Sequence, residues 1–154
     1  MDTIYKKDIG KKRIYNSAFA EAGRNDVVKW DIFPVRDAEW VKVVFESYSS
    51  PWRQGVWLRT DEGIIVNGLA CKSVELWADT APREVICQCF TSDGMLSVYN
   101  IWDRGHGRES QSWTSGMLVE ELNDNRRYRC NDIGFETNFD KIVFRIERAI
   151  EKQI

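Results

Sequence analysis

The sequence predicts an all-β chain: an antiparallel two-sheet sandwich, jelly-roll-like, with at most short helical turns. Three observations lead there. Apolar side chains recur with a period of two rather than 3.6, the signature of strands with one dry and one wet face. Short polar links rich in Gly, Asn and Asp separate the apolar runs. Aromatic residues make up 12% of the chain, seven of them Trp, and wide flat side chains suit sheets packed face to face.

The clearest alternation lies near both ends of the pattern. In 39–47, Val41, Val43 and Phe45 share one face and Lys42 and Glu46 the other. In 139–148, Ile142, Phe144 and Ile146 face in while Lys141, Arg145 and Glu147 face out. Tyr128 and Cys130 alternate with Arg127 and Arg129 in the same way. Further strands are expected at 27–33, 55–59, 63–67, 73–77, 84–90, 95–103 and 116–121. The links 60–63 and 91–94 end in Gly and read as tight hairpins, and 123–125 serves the same purpose. Pro82 falls in a link, outside any strand. Residues 15–21 fit either a strand or a helix, and 147–152 could form a helical turn. Roughly nine or ten short strands at close spacing favour a sandwich over an α/β fold. A chain of 154 residues is expected to form one domain over 1–154.

Composition narrows the functional classes. Hydrophobic residues at 43% and charged residues at 30% are globular values. A net charge of −2 with mixed signs provides no field to draw nucleic acid or an anionic membrane. Residues 1–8 carry scattered charges and no apolar run, so they do not read as a secretory signal, and no transmembrane stretch is seen. Cys87 and Cys89 are two apart on one strand face, poorly placed to bridge each other and too close for a zinc knuckle. All four cysteines, with Cys71 and Cys130, read as reduced, mostly core thiols, in keeping with a cytoplasmic protein.

The segments 98–103, 116–121, 126–132 and 139–147, about the C-terminal third, resemble a set of uncharacterised bacterial β-sandwich proteins. The resemblance implies a small jelly-roll-like domain and no particular activity.

Candidate chemistry is sparse. His106 is the sole histidine, in a glycine-flanked polar loop. It could serve a hydrolase or isomerase as general base with Asp103 or Glu109, against the plainer reading of a solvated loop residue. A nucleophilic Cys130–His106 pair is disfavoured because Cys130 alternates inward among arginines. No nucleophile elbow, phosphate loop or dinucleotide fingerprint occurs. Among 24 acidic residues, Glu46, Glu75 and Asp103 can be nominated as a carboxylate pair, but a solvated strand face explains them as well. The basic run 125–129 follows Glu120, Glu121 and Asp124, so cross-strand pairing is more economical than nucleic-acid binding. The oxygen-rich stretch 131–140 could hold a structural Ca²⁺ through Asp132.

The strongest lead is aromatic and polar interleaving. Trp52, Arg53, Asn100, Trp102, Asp103 and His106 combine flat rings with amide, carboxylate and guanidinium groups, the chemistry that recognises sugars. Against this, Trp57 and Trp102 could simply fill the interior, leaving Trp52, beside a proline, as the exposed ring. The expectation is therefore a non-enzymatic domain binding a carbohydrate or another small polar ligand without a cofactor. The alternative is a protein-interaction domain, with a homodimer through sheet edges.

Overall fold

A computed structural model describes residues 11–134 and 138–149. Residues 1–8, part of 131–140 and the end of 147–152, all read above, lie outside them. The strands are β1 (Ile14–Tyr15), β2 (Val28–Pro34), β3 (Glu39–Tyr48), β4 (Arg53–Val66), β5 (Leu69–Trp77), β6 (Glu84–Phe90), β7 (Met95–Asp103), β8 (Arg108–Glu109), β9 (Gly116–Leu122), β10 (Asn125–Asn131) and β11 (Ile142–Arg148). One short helix, α1 (Ser17–Glu21), is capped by Asn16, whose side chain accepts from the Ala18 amide. No helix among the described residues is long and apolar enough to cross a membrane.

The all-β expectation holds, but the sheet closes instead of splitting into two layers. Its order β2-β9-β10-β11-β3-β6-β4-β7 returns to β2, because β2 pairs with β7 on one edge and β9 on the other. The result is an eight-strand antiparallel barrel, which replaces the predicted two-sheet, jelly-roll-like sandwich. Alternation looks the same in either architecture, since both have an inner and an outer face. What separates them is whether the last edges meet, a long-range pairing with no local sequence signature.

Two predicted hairpins are corners instead. The 60–63 link is a bulge inside the continuous β4, where the Thr60 hydroxyl bonds both the amide and the carbonyl of Gly63. It re-aims β4, so that 53–59 pairs with β7 and 63–66 with β6. The 91–94 link is the matching corner, and Asp61 accepts from both Thr91 and Ser92 to join the two bends. The predicted link at 123–125 does turn a hairpin, between the paired β9 and β10, and a further hairpin turns at Asn67-Gly68, both residues at positive φ.

The lumen is filled by Val41, Val43, Val56, Leu58, Cys87, Leu96, Val98, Tyr128, Phe144 and their neighbours, all buried. Cys87, Cys89 and Cys130 belong to this core and Cys71 is half-buried; all four are free. Burial pushes the Cys87 thiol up to about 12, so it stays protonated and inert at neutral pH. Strands β4 and β7 are dry on both faces: Trp57 stacks on Tyr99 at 4.4 Å, with Trp30 edge-on, on the side opposite Val56 and Leu58.

The seam between β2 and β9 is held by one residue pair, Val28 with Met117. Beyond it the strands part, and a fully buried carboxylate fills the gap. Asp31 accepts from Arg13 Nε (2.6 Å), Arg126 Nη1 (3.0 Å) and the Tyr128 hydroxyl (2.6 Å). The arginine stripe 126–129 is absorbed elsewhere in the same way, by Glu46, Glu120 and Glu121.

Candidate functional site

The starts of β4, β9 and β11 and the ends of β3, β7 and β10 come together at one end of the barrel, as the pairs Arg53–Asp103, Tyr48–Ile142 and Gly116–Asn131 show. The connections gathered here are 49–52, 104–107, 110–115 and the stretch after Asn131. Loops of this length on a closed barrel are where binding groups are usually carried. The six residues proposed from the sequence to bind a ligand, Trp52, Arg53, Asn100, Trp102, Asp103 and His106, fall at this end.

The structure sorts those residues into a floor and a rim. Asn100 and Trp102 point inward and are almost fully buried. Asn100 Nδ2 donates to the Asn131 carbonyl (3.0 Å), and Trp102 fills the barrel mouth opposite Gln54. Asp132 is also buried, accepting from Ser50 Oγ (3.1 Å), Gln54 Nε2 (2.9 Å) and the Ile133 amide (2.6 Å). Its carboxylate thus ties three segments together using protein donors. Among the described residues, no group of three or more His, Cys, Asp or Glu could hold a metal. Among the described residues, Gln54 Oε1 and Asn131 Oδ1 are buried without a hydrogen-bond partner.

The rim is built from two arginine–tryptophan stacks. Arg53 lies 4.6 Å over the Trp77 ring, its Nε donating to Asp79 at 2.9 and 3.0 Å. Arg104 lies 5.4 Å over the half-buried Trp52 and forks onto Glu109 through two 2.8 Å bonds. Each guanidinium is held on one side by a ring and on another by a carboxylate, so little side-chain freedom remains to lose on binding. Between them, Asp103 Oδ1 accepts the amides of Gly105 (2.7 Å) and Gly107 (3.2 Å). Both glycines have φ near +107°, a conformation open to Gly at little cost. His106, at the tip of that loop, is exposed.

Asp103 and Glu109, the acid partners considered for His106, are therefore engaged with loop amides and with Arg104. The Gly105 amide, with help from Gly107 and Arg53, holds the Asp103 carboxyl below its ordinary range. A depressed folded pKa means the loop is favoured above the ordinary Asp value and loses that support as pH falls through the folded one. The Gly105 and Gly107 amide resonances should accordingly titrate with a midpoint below about 3.9. A midpoint at or above that value would show that the carboxylate does not hold the loop.

Glu46 and Glu75 are likewise committed, Glu46 to Arg127 and Arg145 and Glu75 to Arg108. The residues sequence reasoning missed are Trp77, Asp79, Arg104 and Gln54. Trp77 reaches the site because β5 sets it opposite Gly55, where a missing side chain makes room for the ring. Alongside the two stacks, Trp52, Asp132 and Gly134 border a cavity of about 220 Å³. That is smaller than the ~300–1,000 Å³ of drug-sized sites and suits one small polar moiety. A larger cavity of about 500 Å³ lies on the outer wall between Trp40, Ile65 and Ile86, and none of the arginine–tryptophan pairs lines it.

No protein-family profile matches the chain, and no curated protein shows significant similarity to it. The functional reading rests on this geometry.

Proposed function

We propose that the chain is a non-enzymatic binding domain of a reducing, cytoplasmic setting, taking a carbohydrate or a similar polyhydroxylated ligand at its loop end. The observation behind this reading is the pair of clamped arginine–tryptophan stacks flanking Asp103. A guanidinium offers parallel N–H donors and a carboxylate offers acceptors, and together they match adjacent hydroxyls on a ring. The tryptophan edges supply apolar contact for the ring C–H face. A glycan panel followed by NMR titration tests it. Binding should move the Trp52, Arg53 and Asp103 resonances, and Arg53→Ala should weaken it about tenfold while leaving the fold intact. If no glycan perturbs those signals, the reading fails.

A second reading, self-association, has its own observation. Among the described residues, strand β5 pairs only with β4 on one edge, and Leu69 at its start is 69% exposed. Its other edge can pair with a second copy. Sedimentation at several concentrations decides, and a strict monomer ends this alternative.

A further inference from the structure

Where the bulge in β4 meets the corner at 91–94, the barrel wall holds a cavity of about 160 Å³. It lies six residues along the β4–β7 pairing from the loop end, about 20 Å away, since Arg53 faces Asp103 there and Arg59 faces Ser97 here. Four charged side chains border it, Lys11 and Arg59 with Asp61 and Asp93. Among the described residues none of the four makes an ion pair, with one another or elsewhere. The two carboxylates are nonetheless fixed. The Thr91 hydroxyl lies 2.8 Å from Asp61 Oδ1 and 2.9 Å from Asp93 Oδ1, so its single proton serves one of them at a time. Ser92 donates its amide and its hydroxyl to Asp61, and the Met95 amide donates to Asp93. All these donors are neutral, so two like charges stand around one hydroxyl with no cation to offset them.

The rest of the cavity wall complements them. Arg59 brings a guanidinium fork that carries no carboxylate. Ser97, its partner across the register, is only 7% exposed, yet it borders the cavity and its hydroxyl has no hydrogen-bond partner among the described residues. Trp30 adds an apolar wall, held edge-on by Trp57 at 5.5 Å and Tyr99 at 5.0 Å. Unpaired charges scattered on an open surface are ordinary. Two of each sign around one cavity, with a buried hydroxyl and a fixed indole in its wall, form a complementary set. A net anion would meet Asp61 and Asp93, and a net cation would meet Lys11 and Arg59. A small molecule bearing both charges answers all four. We infer that this cavity binds a free α-amino acid. Its carboxylate lies on the Arg59 fork with Lys11 beside it, its ammonium group between Asp61 and Asp93, and an apolar side chain against Trp30 and Met95. The volume is below the ~300–1,000 Å³ of drug-sized sites and suits one such molecule. Groups already held in place lose little freedom on binding it. The site shares no residue with the loop end, so it does not depend on the carbohydrate reading.

The test titrates the whole chain with alanine, valine, leucine and methionine while NMR follows the Trp30 and Trp52 indole N–H signals. At least one amino acid should move the Trp30 signal to saturation and leave Trp52 in place. The tightest binder is then compared with its analogues lacking the amine or the carboxylate, which for valine are 3-methylbutanoate and isobutylamine. Each analogue should bind at least about tenfold weaker, the scale of losing one partner of a charge pair. Arg59→Ala should weaken the amino acid about tenfold or more, and Arg59→Lys, which keeps the charge without the fork, should recover part of that loss. The Arg59 side chain is exposed, so both variants should keep the parent thermal midpoint. The site is refuted if none of the four amino acids moves Trp30, if Trp52 moves in its place, if either analogue binds as tightly as the amino acid, or if Arg59→Ala retains full affinity. The glycan titration at the loop end is decided separately by the Trp52, Arg53 and Asp103 signals.

Discussion

Asp31→Ala should lower the stability of the chain by about 3–5 kcal/mol, the scale seen when one partner of a buried ion pair is removed. The carboxylate is fully buried and serves three donors, Arg13, Arg126 and Tyr128. Removing it leaves two guanidinium groups, mostly out of water, with Glu121, itself largely exposed, as the carboxylate shared by both among the described residues. It also leaves a buried phenol without its acceptor. The Tyr128 proton is already held firmly, since burial and the neighbouring Asp31 charge push its pKa well up. Tyr128→Phe removes one donor and keeps the ion pairs, so it should cost only about 1 kcal/mol. Urea unfolding of the three proteins gives the comparison directly. Because β2 and β9 share a single residue pair at this seam, hydrogen exchange in Asp31→Ala should accelerate first along β2. A loss below about 1 kcal/mol for Asp31→Ala would mean that the seam closes without its carboxylate.

Gly55→Ala is the second large effect, at about 3 kcal/mol, near the upper end of the usual cost of overpacking. A Cβ at Gly55 would meet the Leu76 carbonyl oxygen at 2.6 Å, Trp77 Cε3 at 3.0 Å and Ile101 Cγ1 at 3.2 Å. The nearest of these is backbone, so a rotamer change cannot relieve it. Strand β5 has to move away from β4, and Trp77 moves with it. Since Arg53 rests on the Trp77 ring, the substitution should disturb the candidate site as well as the fold. The expected result is a thermal midpoint lower by roughly 6–12 °C, with altered near-ultraviolet dichroism from the tryptophans. Gly68→Ala is the control. Its Cβ would meet nothing within 4 Å, and only the positive φ of 76° opposes it, at about 1 kcal/mol. Equal losses at the two glycines would show that the contact beneath Trp77 is looser than described.

Much of the site was legible as chemistry and little of it as arrangement. Trp52, Arg53, Asp103 and His106 do gather at one end of the barrel, because they sit where strands stop and loops begin. Asn100 and Trp102 carry the same chemistry but face the lumen, since β7 is covered on both sides and alternation there does not separate wet from dry. Trp77 and Asp79 are 24 and 26 residues beyond Arg53 in the chain. Only the β4–β5 register brings them beneath and beside it. The turn chemistry misled where Thr60 and Gly63 close a bulge in place of a hairpin, while Asn67, expected to end a strand, turns with Gly68 instead.

By itself the sequence determined the strands, their dry faces, the buried thiols and the loops that carry polar and aromatic groups, because each follows from neighbours one or two residues apart. The tertiary structure alone decided that the sheet closes, that Asp31 lies in its seam, and which tryptophans meet arginines. Those outcomes depend on which strand edges pair across long stretches of chain, and edge pairing is made by backbone groups that every residue but proline shares.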